Sequence, residues 1–401
     1  MKESKLFLKT SKEKPKEADN ISAEFLIRAG YIDKLAAGVY TFLPLGLRVL
    51  RKIENIIRKE LDKIGGEEIL MPVLHPKVLW EESGRWEKID PPLFKLKDRH
   101  NREYGLGSTH EEVISDLVRK RVDSYKGLPF VLYQIQNKFR NEMRSTGGLL
   151  RTREFLMKDA YSFHADKKDL ESYYEEMTKT YHQIFNKMGL NVIQVEASSG
   201  TIGGKVSHEF MVLSETGEDN IVVCECGFGS NEEVTIGDKN CPKCQGIIKK
   251  DKAIEVGHTF QLGDKYSKVM KVVYRDKEGK EKFVQMGCYG IGLGRAMATV
   301  VEVHHDDKGI IWPESVSPYL IHLIHLSGDK KKADEIYEKL SQKYDVLYDD
   351  RDISAGEKLA EADLIGIAKR VVVSEKTIKE NKVELKLRSE KEAKLISLDK
   401  I

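Results

Sequence analysis

Residues 139–159 read FRNEMRSTGGLLRTREFLMKD. Arg140 and Glu142 stand two apart, so on a strand they face the same side. Gly147-Gly148 marks a chain reversal. Arg151 and Phe155 stand four apart, again on one side of a returning strand. The stretch therefore reads as an antiparallel hairpin that offers two arginines, a carboxylate and an aromatic ring to one pocket. Such a set suits a nucleotide, because guanidinium groups fork onto phosphate oxygens and a ring stacks on a base. Spacing alone leaves open an ordinary surface hairpin with solvated charges.

Outward from the hairpin, residues 129–163 alternate short apolar runs with turns, as an antiparallel sheet would. DKKDLESYYEEMTKTYHQIFNKMGL (166–190) is an amphipathic helix, capped by Asp166 and closed by Gly189. Residues 283–300 read as a strand and then a helix start. Within them MGCYGIGLGRAMA (286–298) spaces glycines at 287, 290, 292 and 294 ahead of Arg295. Glycines admit a closely approaching backbone or ligand, and an arginine at a helix start suits phosphate; a packing role for the glycines is the alternative.

Upstream, residues 21–64 read as helices, with LRVLRKIENIIRKELDKIG strongly amphipathic. EEILMPVLHP follows as a strand stopped by proline. In GSTHEE (107–112), Thr109 and Glu111 could hold an ammonium group, while Ser108 and Glu111 equally match a capping box. His258 in VGHTFQLG (256–263) sits beside apolar residues and on its own reads as structural.

The lysine-rich residues 1–20 read as an extended arm, and IIWPESVSPY (310–319) as a linker. After the linker strands and helices alternate, which indicates a small α/β domain with a largely parallel sheet. The division is 1–314 and 315–401. The second part carries 17 basic and 17 acidic residues, so RNA binding there would rest on shape and selected contacts.

Across 401 residues, 40 % hydrophobic and 33 % charged, the composition is that of a soluble globular chain, and a net charge of +2 announces no polyanion partner. No run approaches the roughly 18 apolar residues of a membrane span. Glu3, Glu13, Glu17 and Asp19 argue against a transit peptide, and no signal-peptide core is present, so a cytoplasmic location is expected. Five cysteines do not make a disulfide scaffold. Four of them, Cys224, Cys226, Cys241 and Cys244, lie in a short insert (220–252) as CxC followed by CPKC. That is a candidate four-thiolate zinc site, the alternative being two metal-free turns. Cys288 stands alone and reads as packing. Neither GxxxxGK[ST] nor a GxGxxG after a strand occurs.

FRNE, a loop of eight residues, then RTREFLMKD is similar to the second signature motif of class II aminoacyl-tRNA synthetases. GCYGIGLGR resembles the third motif, and GGEEILMPVLHP, with Pro72, the first. LAAGVYTFLPLGLRVLRKIE, LWEESGRW, GSTHEEV, GGKVSHEF, VEVGHTFQLG and DDRDISAGEKLAEADLIGIAKR resemble the bacterial-type prolyl-tRNA synthetases, over nearly the whole chain. The resemblance implies an α+β fold: a class II catalytic domain with an antiparallel sheet, then an α/β anticodon-binding domain. It implies a homodimer with the Pro72 strand near the interface. It also implies activation of L-proline by ATP with Mg2+, and transfer to the 3′ end of tRNA(Pro).

Position by position, Thr109 and Glu111 match the loop that holds the amino group of proline. Arg140 matches the arginine between the proline carboxylate and the α-phosphate. Glu142, Arg151, Thr152 and Phe155 match the ATP site, with Phe155 on adenine. Glu255 matches an ATP–magnesium contact, and Arg295 the γ-phosphate ligand. Glu209, Phe210, His258 and Phe260 match the proline-pocket region. Many bacterial-type members carry a large editing domain between the second and third motifs. The segment 220–254 is too short for one, which puts editing by this chain in doubt. A non-catalytic paralogue, or a threonyl or glycyl enzyme, are the competing readings.

Overall fold

The computed structural model describes residues 1–16, 18–234 and 240–397. Glu17, residues 235–239 of the cysteine insert and residues 398–401 lie outside the described residues. Helix α1 (Ile21–Arg28) begins at Asn20, whose side chain accepts from the Ala23 amide. The expected run of helices is then broken by a hairpin, β1 (Ile32–Ala36) and β2 (Val39–Phe42). Gly38 turns it at φ +72°, and two strands this short leave little period to read in the sequence.

Helix α2 (Pro44–Lys63) buries Leu45, Val49, Leu50, Ile53, Ile57 and Leu61, the stripe that a 3.6-residue period places on one face. EEILMPVLHP does not form the single strand expected. It is divided between β3 (Gly66–Glu68) and β4 (Leu74–Pro76), which belong to different sheets. The ladder stops because the Met71 amide donates to the Gln134 side chain and Pro72 has no N–H to offer. Helix α3 (Lys77–Glu82) and strands β5 (Lys95–Lys97) and β6 (Glu103–Leu106) complete the small sheet β4-β6-β5 before α4 (Glu111–Arg119).

The central sheet follows. β7 (Phe130–Phe139) and β8 (Glu154–His164) pair antiparallel from Phe130↔Phe163 to Phe139↔Glu154. After α5 (Lys167–Lys187) come β9 (Ile193–Glu196), β10 (Val206–Leu213), β11 (Asp219–Val223), β12 (Gly229–Asn231) and β13 (Lys249–Gly263). Then come α6 (Lys265–Val269), the hairpin β14 (Val273–Arg275)–β15 (Glu281–Phe283), β16 (Gln285–Gly292) and α7 (Leu293–Val303). The nine strands run β10-β9-β12-β11-β13-β16-β8-β7-β3, mostly antiparallel.

Alternation divides the two faces of this sheet. Ala160 on β8 and Tyr289 and Ile291 on β16 join α2, α5 and α7 in the main core, while Met157, Asp159 and Gly290 open onto a cavity. Gly287 is needed for close approach, since a Cβ there would lie 2.2 Å from the Tyr289 hydroxyl.

β17 (His305–Asp306) and β18 (Gly309–Ile310) lead into the expected linker, which is packed instead of free. Trp312, Val316 and Tyr319 are buried. The Trp312 indole donates to the Tyr31 hydroxyl at 2.7 Å, and Tyr31 donates to the Ile365 carbonyl at 2.8 Å. The cause is apolar content: these aromatic side chains join Leu347, Leu364 and Ile365 in the main core.

The C-terminal part alternates as read: β19 (Ile321–His325), α8 (Lys330–Ser341), β20 (Val346–Asp349), α9 (Ala355–Ile365), β21 (Lys369–Val373), α10 (Glu375–Lys379), β22 (Lys382–Leu387) and β23 (Lys394–Ser397). Its sheet is β20-β19-β21-β22-β23, parallel among the first three strands and antiparallel beyond. The amino-terminal arm lies against it: Glu3 is buried, 3.0 Å from His322 and 2.8 Å from Arg351. Among the described residues no helix is long and apolar enough to cross a membrane.

Candidate active site

A cavity of about 410 Å³ lies on the sheet face away from α2, α5 and α7. Arg140, Glu142 and Arg151 do not sit on the hairpin strands as expected; β7 ends at Phe139 and β8 begins at Glu154. They line the cavity from the connection between the strands, with Thr152 beside them. Pairing still reaches one step past the strand, since the Arg140 amide donates to the Arg153 carbonyl at 2.9 Å. The connection turns at Gly148, at φ +60°, where a Cβ would lie 2.8 Å from that of Ala23 on α1.

The Arg140 guanidinium stands 5.2 Å from the Phe155 ring centre. Burial lowers the Arg140 pKa, and the positive charge of Arg295 lowers it further. Arg151 donates to Glu142 at 3.2 Å. Arg295, in the first turn of α7, donates to the Leu150 carbonyl at 2.8 Å and to Glu255 Oε2 at 3.0 Å. Guanidinium groups from two separate motifs are thus held by protein acceptors on one cavity, with donors left for an anion.

Glu255 and His258 on β13 line the same cavity, and Glu209 on β10 faces His258. His258 Nδ1 lies 3.2 Å from Glu255 and 3.6 Å from Glu209. The Ser207 hydroxyl is 2.6 Å from His258 Nε2, and the imidazole stacks on Phe260 with centres 4.0 Å apart. Burial opposes ionisation of Glu255, but the His258 hydrogen bond and the Arg295 charge hold it down to about 2. Burial pushes Glu209 up to about 8, and the negative charges of Glu255 and Asp219 add to the effect. Phe210 does not join this group. It neighbours Glu209 on the strand, so it points to the other face, where it packs on Tyr181 and Phe185.

Thr109 lines the cavity too, and its hydroxyl donates at 2.6 Å to Glu111, which is fully buried and stands behind the lining instead of in it. The capping box does not form. His110 is the N-cap of α4 and makes no side-chain cap, and Glu111 is instead engaged by Thr109, Cys288 and Arg85. Cys288 is more than packing: it lines the cavity and its thiol donates to Glu111 at 3.2 Å. Arg85, which sequence reading did not single out, also lines the cavity. It pairs with Glu112 at 2.9 Å and Glu111 at 3.3 Å, with the rings of Trp80 and Tyr266 at 5.3 and 5.5 Å. A lone arginine after SG in a loop carries no periodic signal; only the tertiary fold brings it to Glu111.

The four insert cysteines converge. Cys224 and Cys226 lie in the β11–β12 turn, and Cys241 and Cys244 in a second turn. The sulfur atoms lie 3.6 Å apart for Cys224–Cys244 and 3.5 Å for Cys226–Cys241, all four within 4.8 Å of one another. Zn–S bonds of about 2.3 Å in a tetrahedron require S···S edges of roughly 3.8 Å, so the donor set and its spacing fit zinc.

Residues 94–304 match the class II tRNA synthetase core domain of the G, H, P, S and T enzymes, and residues 321–401 match an anticodon binding domain. The chain is 46 % identical over 415 residues to the proline–tRNA ligase of Wolbachia sp. subsp. Drosophila simulans, covering all of this chain and 98 % of that protein. It is 44 % identical over 417 residues to that of Ehrlichia chaffeensis, with the same coverage. Identity to the proline–tRNA ligase of Endomicrobium trichonymphae is 37 %, covering 96 % of this chain and 95 % of that protein. That alignment spans 540 positions, so the relative carries a long stretch that this 401-residue chain lacks. Prolyl-tRNA synthetase from Cryptosporidium parvum, complexed with halofuginone and AMPPNP, superposes with a TM-score of 0.78 at 18 % identity, covering 94 % of this chain and 74 % of that one. At that identity the likeness is one of fold.

Proposed function

The chain belongs to the proline–tRNA ligases, a class II aminoacyl-tRNA synthetase family, and we propose that the cavity described above is where it activates L-proline with ATP. The observation that carries this reading is the meeting of Arg140, Arg295, Phe155 and Glu255 on one cavity that Thr109 also lines, with the buried Glu111 carboxylate bonded directly behind Thr109. Phe155 takes the adenine and Arg295 the γ-phosphate, with Glu142, Arg151 and Thr152 completing the nucleotide site. Arg140 stands between the proline carboxylate and the α-phosphate. Thr109 and Glu111 receive the ammonium, with the Arg85 charge behind Glu111. His258 and Phe260 line the ring pocket, and Glu209 holds His258 in place.

The proline carboxylate attacks the α-phosphorus in line; the new C–O–P bond forms as the bond to pyrophosphate breaks. The side chains position the reactants and neutralise growing charge. The terminal ribose hydroxyl of tRNA(Pro) then attacks the adenylate carbonyl and AMP leaves. Glu255, with Glu209 and His258 close by, would hold the Mg2+ that accompanies ATP, whose charge offsets that of the phosphates. Cys224, Cys226, Cys241 and Cys244 hold a structural zinc ion. Residues 1–314 form the catalytic domain and 315–401 the anticodon-binding domain. The enzyme works as a cytoplasmic homodimer.

Aminoacylation of tRNA(Pro) tests the assignment. The parent charges proline, and Arg140→Ala loses at least about 10²-fold in rate. A folded Arg140→Ala protein that charges normally would remove Arg140 from the site.

A further inference from the structure

We propose that the four-cysteine knuckle is a positioning device for the nucleotide end of the cavity, acting through Asn231. The proposal rests on the reading of the four thiols as a zinc site. β12 is three residues long, paired with β11 at Ile221↔Asn231, Val222↔Ser230 and Val223↔Gly229, and with β9 at Ser230↔Glu196 alone. So short a strand has little ladder of its own to hold its register. Both of its ends are fixed by other means.

At the start of β12 the Cys224 amide donates to the Phe228 carbonyl at 2.9 Å, closing the turn that carries Cys224 and Cys226. Buried Cys241 packs with Phe228 and Val222 under that turn. A metal bridging the two cysteine pairs would therefore clamp the β11–β12 hairpin at its tip, and metal binding of this kind supplies local folding free energy.

At the other end of β12, Asn231 donates from Nδ2 to Glu209 Oε2 at 3.1 Å. Glu209 lies 3.6 Å from His258, His258 lies 3.2 Å from Glu255, and Glu255 accepts from Arg295 at 3.0 Å. A line of polar contacts thus runs from Asn231 to the arginine assigned to the γ-phosphate, and the three-residue backbone of β12 joins Asn231 to the knuckle. Partners behind the groups that touch a ligand orient those groups, and their loss commonly costs 10–100-fold. The short insert, too small for a hydrolytic domain, is in this account a brace for ATP binding. Asn231 is a positioning residue.

The test is a zinc assay joined to a double-mutant cycle on the full-length chain. Zinc content and the KM values for ATP and proline are measured for the parent, Cys244→Ser, Asn231→Ala and the double variant. The parent and Asn231→Ala carry one zinc per chain and Cys244→Ser carries none. Each single variant raises the KM for ATP about 10-fold, and the KM for proline rises with it because the line passes through His258. The double variant is no worse than either single one, because both cut the same line. Should Cys244→Ser not fold, chelation of zinc from the folded parent replaces it, with recovery of the KM on adding zinc back. If zinc is present and its removal leaves the KM for ATP unchanged, or if the two effects multiply, the inference is overturned while the metal site stands. A parent with no zinc overturns the metal reading itself.

Discussion

Arg85→Met removes the guanidinium that faces both Glu111 and Glu112 while keeping most of the side-chain volume. Both carboxylates are 0 % exposed, and their distances to Arg85 are 3.3 and 2.9 Å. Breaking a buried pair by deleting one partner typically costs about 3–5 kcal/mol, because the remaining charge is left uncompensated. Burial already raises the Glu112 pKa, and Arg85 opposes that rise. Without the cation the Glu112 carboxyl is pushed further up and takes up a proton in the folded state. A carboxyl whose folded pKa lies above its unfolded one stabilises the fold below that range and loses the contribution as pH rises through it. The stability gap between parent and variant is therefore larger at pH 8 than at pH 5. Glu111 also loses a contact that orients it toward the ammonium of proline. A hydrogen bond to a charged group is worth about 1.5–3 kcal/mol, so the KM for proline should rise roughly 10–150-fold. The KM for ATP, set at the other end of the cavity, stays within about threefold. ATP–pyrophosphate exchange at varied proline and then varied ATP reads both numbers. A folded Arg85→Met protein with a parental KM for proline refutes the reasoning.

Phe155→Ala should raise the KM for ATP by about 10-fold or more, since a base stacked on an aromatic ring is worth roughly 1–3 kcal/mol; equal loss for proline would contradict the assignment. Acid should destabilise the fold through two buried imidazoles, whose Nε2 atoms each lie 3.0 Å from the Pro72 carbonyl. Burial lowers His75 to about 4 and His110 further still. The unfolded chain therefore binds more protons below about pH 6.5, and stability should fall by about 2.5 kcal/mol per pH unit near pH 5; flat urea midpoints between pH 7 and 5 would exclude this. Alanine should be activated and left uncorrected, because a pocket rejects a substrate lacking a methylene by only about 10–200-fold. Preformed alanyl-tRNA for proline should then decay no faster with enzyme than without it; rapid enzyme-dependent hydrolysis would reveal an editing site.

The parts of the fold legible in the sequence are those with a sustained local period. α5 begins at Asp166, whose side chain accepts from the Asp169 amide, and ends before Gly189 at φ +83°, as the spacing indicates. The C-terminal alternation was equally plain. The β1–β2 hairpin and the division of EEILMPVLHP were not, because short strands and a side chain taking over a backbone amide leave no pattern. Within the site, residues that share a motif were recoverable from spacing and resemblance. Arg85 and Cys288 were not, since both meet Glu111 only through the tertiary fold. Phe210 adjoins Glu209 on β10, and since Glu209 faces His258, strand parity alone turns Phe210 to the opposite side, onto Tyr181 and Phe185.

The most direct measurement is ATP–pyrophosphate exchange with each amino acid in turn, on the parent and on Arg140→Ala. Proline should drive exchange best, and Arg140→Ala should reduce it at least about 10²-fold. Exchange driven better by another amino acid, or undiminished in a folded Arg140→Ala protein, would contradict proline activation at this cavity.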